Sequence, residues 1–201
     1  MIDKYGVGQD PYCYPGSTVL KNLLAIHDEQ QLSDAEVALS EQRMLQFVPQ
    51  FDALDFAYLC AIHHHLFQDL YEWAGHVRTV DISKDTTHFC NVRFIEASAQ
   101  RCMQQLVSQN FFQQLPKQQF VAQLADFFCE MNVVHPFREG NGRTLRLFCE
   151  VLALQAGYEI SWRGIAVESW LEANIAGYHG DLAPLIQLFS DAVSLPSDNC
   201  D

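Results

Sequence analysis

The segment that most constrains the fold is His135–Arg146, HPFREGNGRTLR, because it stops one helix and starts another. Upstream, Phe120, Leu124, Phe127 and Phe128 recur at helical spacing behind Pro116, which suits a first helical position. A long helix is therefore predicted from Pro116 to His135. Pro136 biases the histidine before it away from helical geometry and so ends that helix. Gly140-Asn141-Gly142 then opens into a second apolar-periodic run, Thr144 to Ala156, which Gly157 closes as the C′ residue. The backbone N–H groups of the turn thus fall at a helix N-terminus, a place suited to holding an anion.

The remaining chain reads mostly as further helices. Ser33-Asp34-Ala35-Glu36 is a capping box that starts a helix running towards Val48. Asp52 caps the next, Ala53 to about Leu70, whose apolar positions include Phe56, Leu59, Ile62 and Leu66. Glu96–Val107, Val167–Ala176 and Leu182–Val193 complete the set. Only His76–Phe94 breaks the pattern. Val77, Thr79 and Val80–Ile82 lead to a polar turn, Lys84-Asp85-Thr86-Thr87, and then to Phe89 and Val92, the composition of a short hairpin. The hairpin is either a plain surface element or an edge that accepts another strand.

The predicted class is mainly α, a helical bundle with one short β-hairpin beside the loop. The 201 residues suit a single domain, with an N-terminal helical extension over about 1–50 and a core over about 51–195. A hydrophobic content of 49% is ample for a core, and a net charge of −13 argues against a basic nucleic-acid-binding surface. Seven scattered cysteines without a Cys-x-x-Cys pair read as reduced thiols, which fits a cytoplasmic location. No signal-type apolar stretch opens the chain, and no run of about 18 apolar residues would span a membrane.

The loop residues each carry two readings. His135 either satisfies the last carbonyls of its helix or acts as a base. Glu139 is a solvated charge or a dipole partner, or else a Mg²⁺ ligand, since Mg²⁺ takes one or two carboxylates plus phosphate oxygens. Gly140 and Gly142 permit positive φ and close approach of a ligand, and Asn141 tolerates left-handed geometry and offers an amide. Arg143 and Arg146 are three apart and share a helix face, with forks that match phosphate oxygens. Base, carboxylate, anion turn and two arginines together are the parts of a phosphate-transfer site. His63-His64-His65 is not one, because consecutive helical side chains diverge by ~100°; one of the three is expected to be buried and hydrogen-bonded, the others solvated. His88 in the hairpin reads as exposed, and Trp73, Trp162 and Trp170 as core or edge aromatics.

HPFREGNGRTLR matches His-Pro-Phe-x-(Asp/Glu)-Gly-Asn-Gly-Arg-x-x-Arg, the signature of Fic-domain proteins, at every specified position. Ile62–Asp85 is similar to the segment that leads into the flap of that family, and Asp10–Asp28 to the start of its short bacterial toxins. The resemblance implies AMP transfer from ATP to a protein hydroxyl. It assigns His135 as general base, Glu139 to Mg²⁺, and Phe137 as loop anchor. Gly140, Asn141 and Gly142 become the anion nest, with Asn141 on the α-phosphate, Arg143 on the β- and Arg146 on the γ-phosphate. The flap would add the target protein's backbone as a strand. Implied targets are the type II topoisomerases, DNA gyrase or topoisomerase IV.

Many Fic proteins also carry a brake, (Ser/Thr)-x-x-x-Glu-(Gly/Asn), whose glutamate pairs with the second motif arginine. Here the only Glu followed by Gly or Asn is Glu139, preceded at four residues by His135. The resemblance then implies a separate small antitoxin that supplies a glutamate to Arg146. Two other readings compete with AMP transfer. One is a Fic-fold kinase, which Gly142 opposes because that branch has a bulkier residue there; the other is a catalytically silent nucleotide-binding module.

Overall fold

The computed structural model describes residues 10–84 and 87–196, so the expected turn residues Asp85 and Thr86 lie outside the described part. The chain forms seven α-helices among these residues: α1 (Glu29–Leu45), α2 (Phe56–Phe67), α3 (Ile95–Ser108), α4 (Lys117–Val134), α5 (Asn141–Ala156), α6 (Val167–Tyr178) and α7 (Ala183–Ala192). Two antiparallel pairs accompany them. β1 (Ser83–Lys84) pairs with β2 (Thr87–His88), and β3 (Glu159–Ile160) with β4 (Val193–Ser194).

Helix boundaries follow the caps that are used, not every cap the sequence offers. Asp28, not Ser33, starts α1: its carboxylate accepts the Gln31 N–H, so Ser33 and Glu36 fall inside the helix. Asp55 replaces the expected Asp52 in front of α2 by accepting the Tyr58 N–H. That helix stops at Phe67 because the chain turns back through bonds from the Leu70 and Tyr71 N–H groups to the Phe67 carbonyl. Pro116 is the cap of α4 rather than its first residue. Val193 leaves the last helix to join β4, opposite Ile160, where the Ser161 N–H also bonds the Ala192 carbonyl.

α4 sits at the centre, packed against α3, α5, α6 and α7, while α2 joins α5 to α1. Phe120, Leu124, Phe128, Phe148, Leu152 and Phe189 are at most 1% exposed. Burying each such side chain is worth ~1.5–3 kcal/mol. Phe128 meets Phe189 edge-on at 5.5 Å. This packing fixes both helices that flank the His135 loop, so the loop is held at each end by the buried core. No helix among the described residues is long and apolar enough to cross a membrane.

Candidate active site

His135 ends α4 in left-handed geometry, φ +47°, and its own N–H still bonds the Met131 carbonyl. Its Nδ1 lies 3.0 Å from the Asn132 carbonyl, which can only accept, so Nδ1 carries the hydrogen. Nε2 is left with a lone pair. Phe89, from the segment after β2, stacks on the ring at 3.7 Å and 19°. Burial pushes the imidazole pKa down to about 4, outweighing the upward effects of the Asn132 carbonyl and the Glu139 carboxylate, and the Arg78 charge adds a smaller downward effect. His135 is therefore neutral near pH 7, a base already able to take a proton.

Behind the loop, His63 on α2 is fully buried and stacks on Phe137 at 3.9 Å. Its Nδ1 accepts the Gly75 N–H at 2.7 Å, so Nε2 carries the hydrogen and donates to the Glu139 carbonyl at 3.0 Å. Burial pushes its pKa down to about 3. His64 is exposed, as expected, but His65 is half-buried and bonded to the Arg43 carbonyl at 2.7 Å.

Gly140 has φ +80°, and a Cβ there would lie 2.4 Å from the Phe67 ring, so only glycine fits. Gly142 differs from expectation. It lies within α5 without positive φ, and space is open where its Cβ would be. Asn141 is the first residue of α5, not a left-handed one. Its amide closes the loop from inside, accepting the Phe137 N–H and donating to the Phe137 carbonyl, each at 2.8 Å. No side chain caps the N-terminus of α5. The Glu139 carboxylate accepts the Gly140 N–H at 3.0 Å.

The two motif arginines part company. Arg143 turns to α1, where it forms an ion pair with Glu36 and donates to Ser40 Oγ at 3.1 Å. The other Glu36 oxygen accepts the Tyr71 hydroxyl at 2.5 Å. Arg146 forms no ion pair with any described residue and rests over the Trp170 ring at 5.6 Å. Burial pushes its pKa down from the usual arginine value.

A cavity of about 200 Å³ opens in front of the loop. It is lined by His135 and Gly142, by Lys84, Thr87 and Phe89 of the β1–β2 hairpin region, and by Asn132, Trp170, Asn174 and Tyr178. Asn132 donates to Asn174 at 2.9 Å across α4 and α6, and His88 N–H donates to the Tyr178 hydroxyl at 3.3 Å. The space is mostly apolar with a base at its edge, the build of a small-molecule site.

Sequence reasoning missed three participants. Phe89 covers His135, Glu36 holds Arg143, and the buried Arg78 donates from Nε to the His135 carbonyl at 2.8 Å. None has a local signal, because each acts on residues far along the chain.

The model of the Fic/DOC family matches residues 53–153. A Salmonella typhimurium protein named "Probable protein adenylyltransferase Fic" is 44% identical over 196 residues, covering 96% of this chain and 97% of its own. Among solved structures, the BepC protein of Bartonella tribocorum with bound AMPPNP has a TM-score of 0.87 at 29% identity, covering 92% of this chain and 97% of that one. The N-terminal Fic domain of a Bartonella quintana effector with bound ADP has a TM-score of 0.86 at 31% identity, covering 92% and 95%. The chain belongs to the Fic/DOC family. Its end-to-end relatives mark it as an enzyme of the adenylyltransferase branch.

Proposed function

We propose that this chain transfers AMP from ATP to a hydroxyl side chain of a target protein. The observation that carries this is the neutral His135, whose Nδ1–H is spent on the Asn132 carbonyl and whose Nε2 is open. Nε2 takes the hydroxyl proton of the target. The hydroxyl oxygen then bonds the α-phosphorus, the bond from that phosphorus to the bridging oxygen breaks, and pyrophosphate leaves. Phosphoryl-type transfer needs chiefly positioning and charge stabilisation, which an uncapped helix N-terminus supports at its phosphate end.

ATP as substrate is supported by the relatives that bind AMPPNP and ADP. The cavity beside His135 and Gly142 is the space for its nucleoside. The open volume at Gly142 favours AMP transfer over the kinase reading. Asn141 spends one amide hydrogen on Phe137, which leaves the second for the α-phosphate. Arg143 reaches the β-phosphate by exchanging Glu36 for it.

Mg²⁺ fits the donors present. Among the described residues no three His, Cys, Asp or Glu side chains gather into a metal cage, and Glu139 brings one carboxylate to the turn. That set suits an ion shared with phosphate oxygens. When bound, the ion would neutralise phosphate charge, and Glu139 would hold it.

Control by a small antitoxin, with its glutamate on Arg146, is supported by the contrast between the motif arginines. Arg143 already has a carboxylate and Arg146 has none among the described residues. Type II topoisomerases, DNA gyrase or topoisomerase IV, are the targets we propose on family resemblance, with the chain working in the cytoplasm. The test is supply of α-labelled or γ-labelled ATP with Mg²⁺ and a bacterial lysate. Label should pass to protein from the α position only and vanish with His135→Ala; transfer from the γ position would mean kinase chemistry.

A further inference from the structure

Arg78 stands where the flap meets the loop. Its side chain is fully buried, yet the nearest carboxylate is Asp81 at 3.9 Å, itself 59% exposed. Burying a guanidinium without a close carboxylate is costly unless its donors are satisfied. Here carbonyl oxygens satisfy them. Nε donates to His135 at 2.8 Å, Nη1 to Val80 at 2.6 Å, and Nη2 to Cys90 at 2.5 Å and Val134 at 3.4 Å. Two acceptors are thus at the C-terminus of α4, where the helix dipole favours a cation. The backbone joins in: the Arg78 N–H bonds the Pro136 carbonyl, and the Cys90 N–H the Val133 carbonyl.

The three groups of acceptors lie on different segments. Val80 leads into β1, Cys90 follows β2, and Val134 and His135 end α4. One rigid fork therefore holds both arms of the flap and the backbone of the base. A lysine could keep the charge but would supply only a point of donors on a flexible stem.

We infer that Arg78 is a positioning residue for AMP transfer, a clamp that fixes the flap in one frame with His135. The inference rests on the adenylyltransferase reading, in which the flap presents the target hydroxyl to Nε2. A target strand added at the flap then arrives at a set distance from the base. Misplacement by about 1 Å can cost on the order of 100-fold in rate.

The test compares wild type with Arg78→Lys. AMP transfer to a protein target from α-labelled ATP should fall ~100-fold in kcat/KM, with KM for the target raised. Target-independent release of AMP from ATP and the affinity for AMPPNP should change far less. Equal losses in both reactions, matched by the loss of folded protein and with KM unchanged, would reduce Arg78 to a structural residue. Hydrogen exchange reads the clamp without turnover. In the variant, the amides of residue 78, Phe89 and Cys90 should lose protection while α3 and α7 keep theirs. Unchanged protection at those three amides overturns the clamp. A wild type that transfers no AMP overturns the adenylyltransferase reading instead, and exchange alone then decides the clamp. Arg78→Gln, which removes the buried charge, serves both measurements if the lysine variant does not fold.

Discussion

The two faces of the His135–Arg146 loop each hold one neutral histidine, fully buried at His63 and half-buried at His135, and they differ in how many ring nitrogens are engaged. On the rear face His63 uses both ring nitrogens, one accepting from Gly75 and one donating to Glu139. On the front face His135 uses Nδ1 alone, and its other nitrogen is open beside the cavity. Burial lowers both pKa values, so burial does not separate the two roles. Satisfaction of the ring does. A histidine with both nitrogens engaged braces the loop, and one with a free lone pair can do chemistry.

Removing each ring in turn separates the two roles. His135→Ala should lower AMP transfer by about 10²–10⁴-fold while leaving the urea midpoint near that of wild type. His63→Ala should do the reverse. It strands the Gly75 N–H and the Glu139 carbonyl and should cost ~2–4 kcal/mol of stability. Transfer per folded molecule should fall much less than in the His135 variant. A stable His63 variant with no activity would mean that the rear histidine is more than a brace.

Gly140→Ala probes the same support from the other side of the turn. With φ +80° and a Cβ position 2.4 Å from the Phe67 ring, it should lower unfolding free energy by about 2 kcal/mol or more. Gly142→Ala, with open space at its Cβ, is the internal control in the same urea titrations.

Acid should act on both histidines together. The unfolded chain binds their protons near pH 6.5, whereas the folded rings resist until about 4 for His135 and about 3 for His63. Between those values the unfolded state holds more protons, so stability is intact above about pH 6.5 and is lost as pH falls. The expected loss from pH 7.5 to 5 is on the order of 1–2 kcal/mol per histidine. Denaturant midpoints of wild type and His63→Ala across that range check it, since the variant should lose less.

Legibility in the sequence followed the range of the interaction. The helical class, the loop between α4 and α5, and the C′ glycine at Gly157 rest on neighbours along the chain, and those expectations match the structure. The starts of α1 and α2 did not follow the expected residues, because Asp28 and Ser33, or Asp52 and Asp55, are rival caps a few residues apart. Only the packed helix selects between them. Val193 looked like the end of a helix because its strand partner, Ile160, is far away in sequence. At the site, residue types were readable but partners were not. Arg143 meets Glu36 across 107 positions, and Arg78 meets His135 across 57. Asn141 turned out to close the loop on Phe137, a contact that no spacing rule announces.

The ¹⁵N NMR spectrum of the histidine side chains near pH 7 distinguishes the two neutral tautomers and the imidazolium, and so reads the division of roles between His63 and His135 directly. Both rings should be neutral, with the hydrogen of His135 on Nδ1 and that of His63 on Nε2. A His135 ring that is protonated at that pH, or that carries its hydrogen on Nε2, would contradict that division.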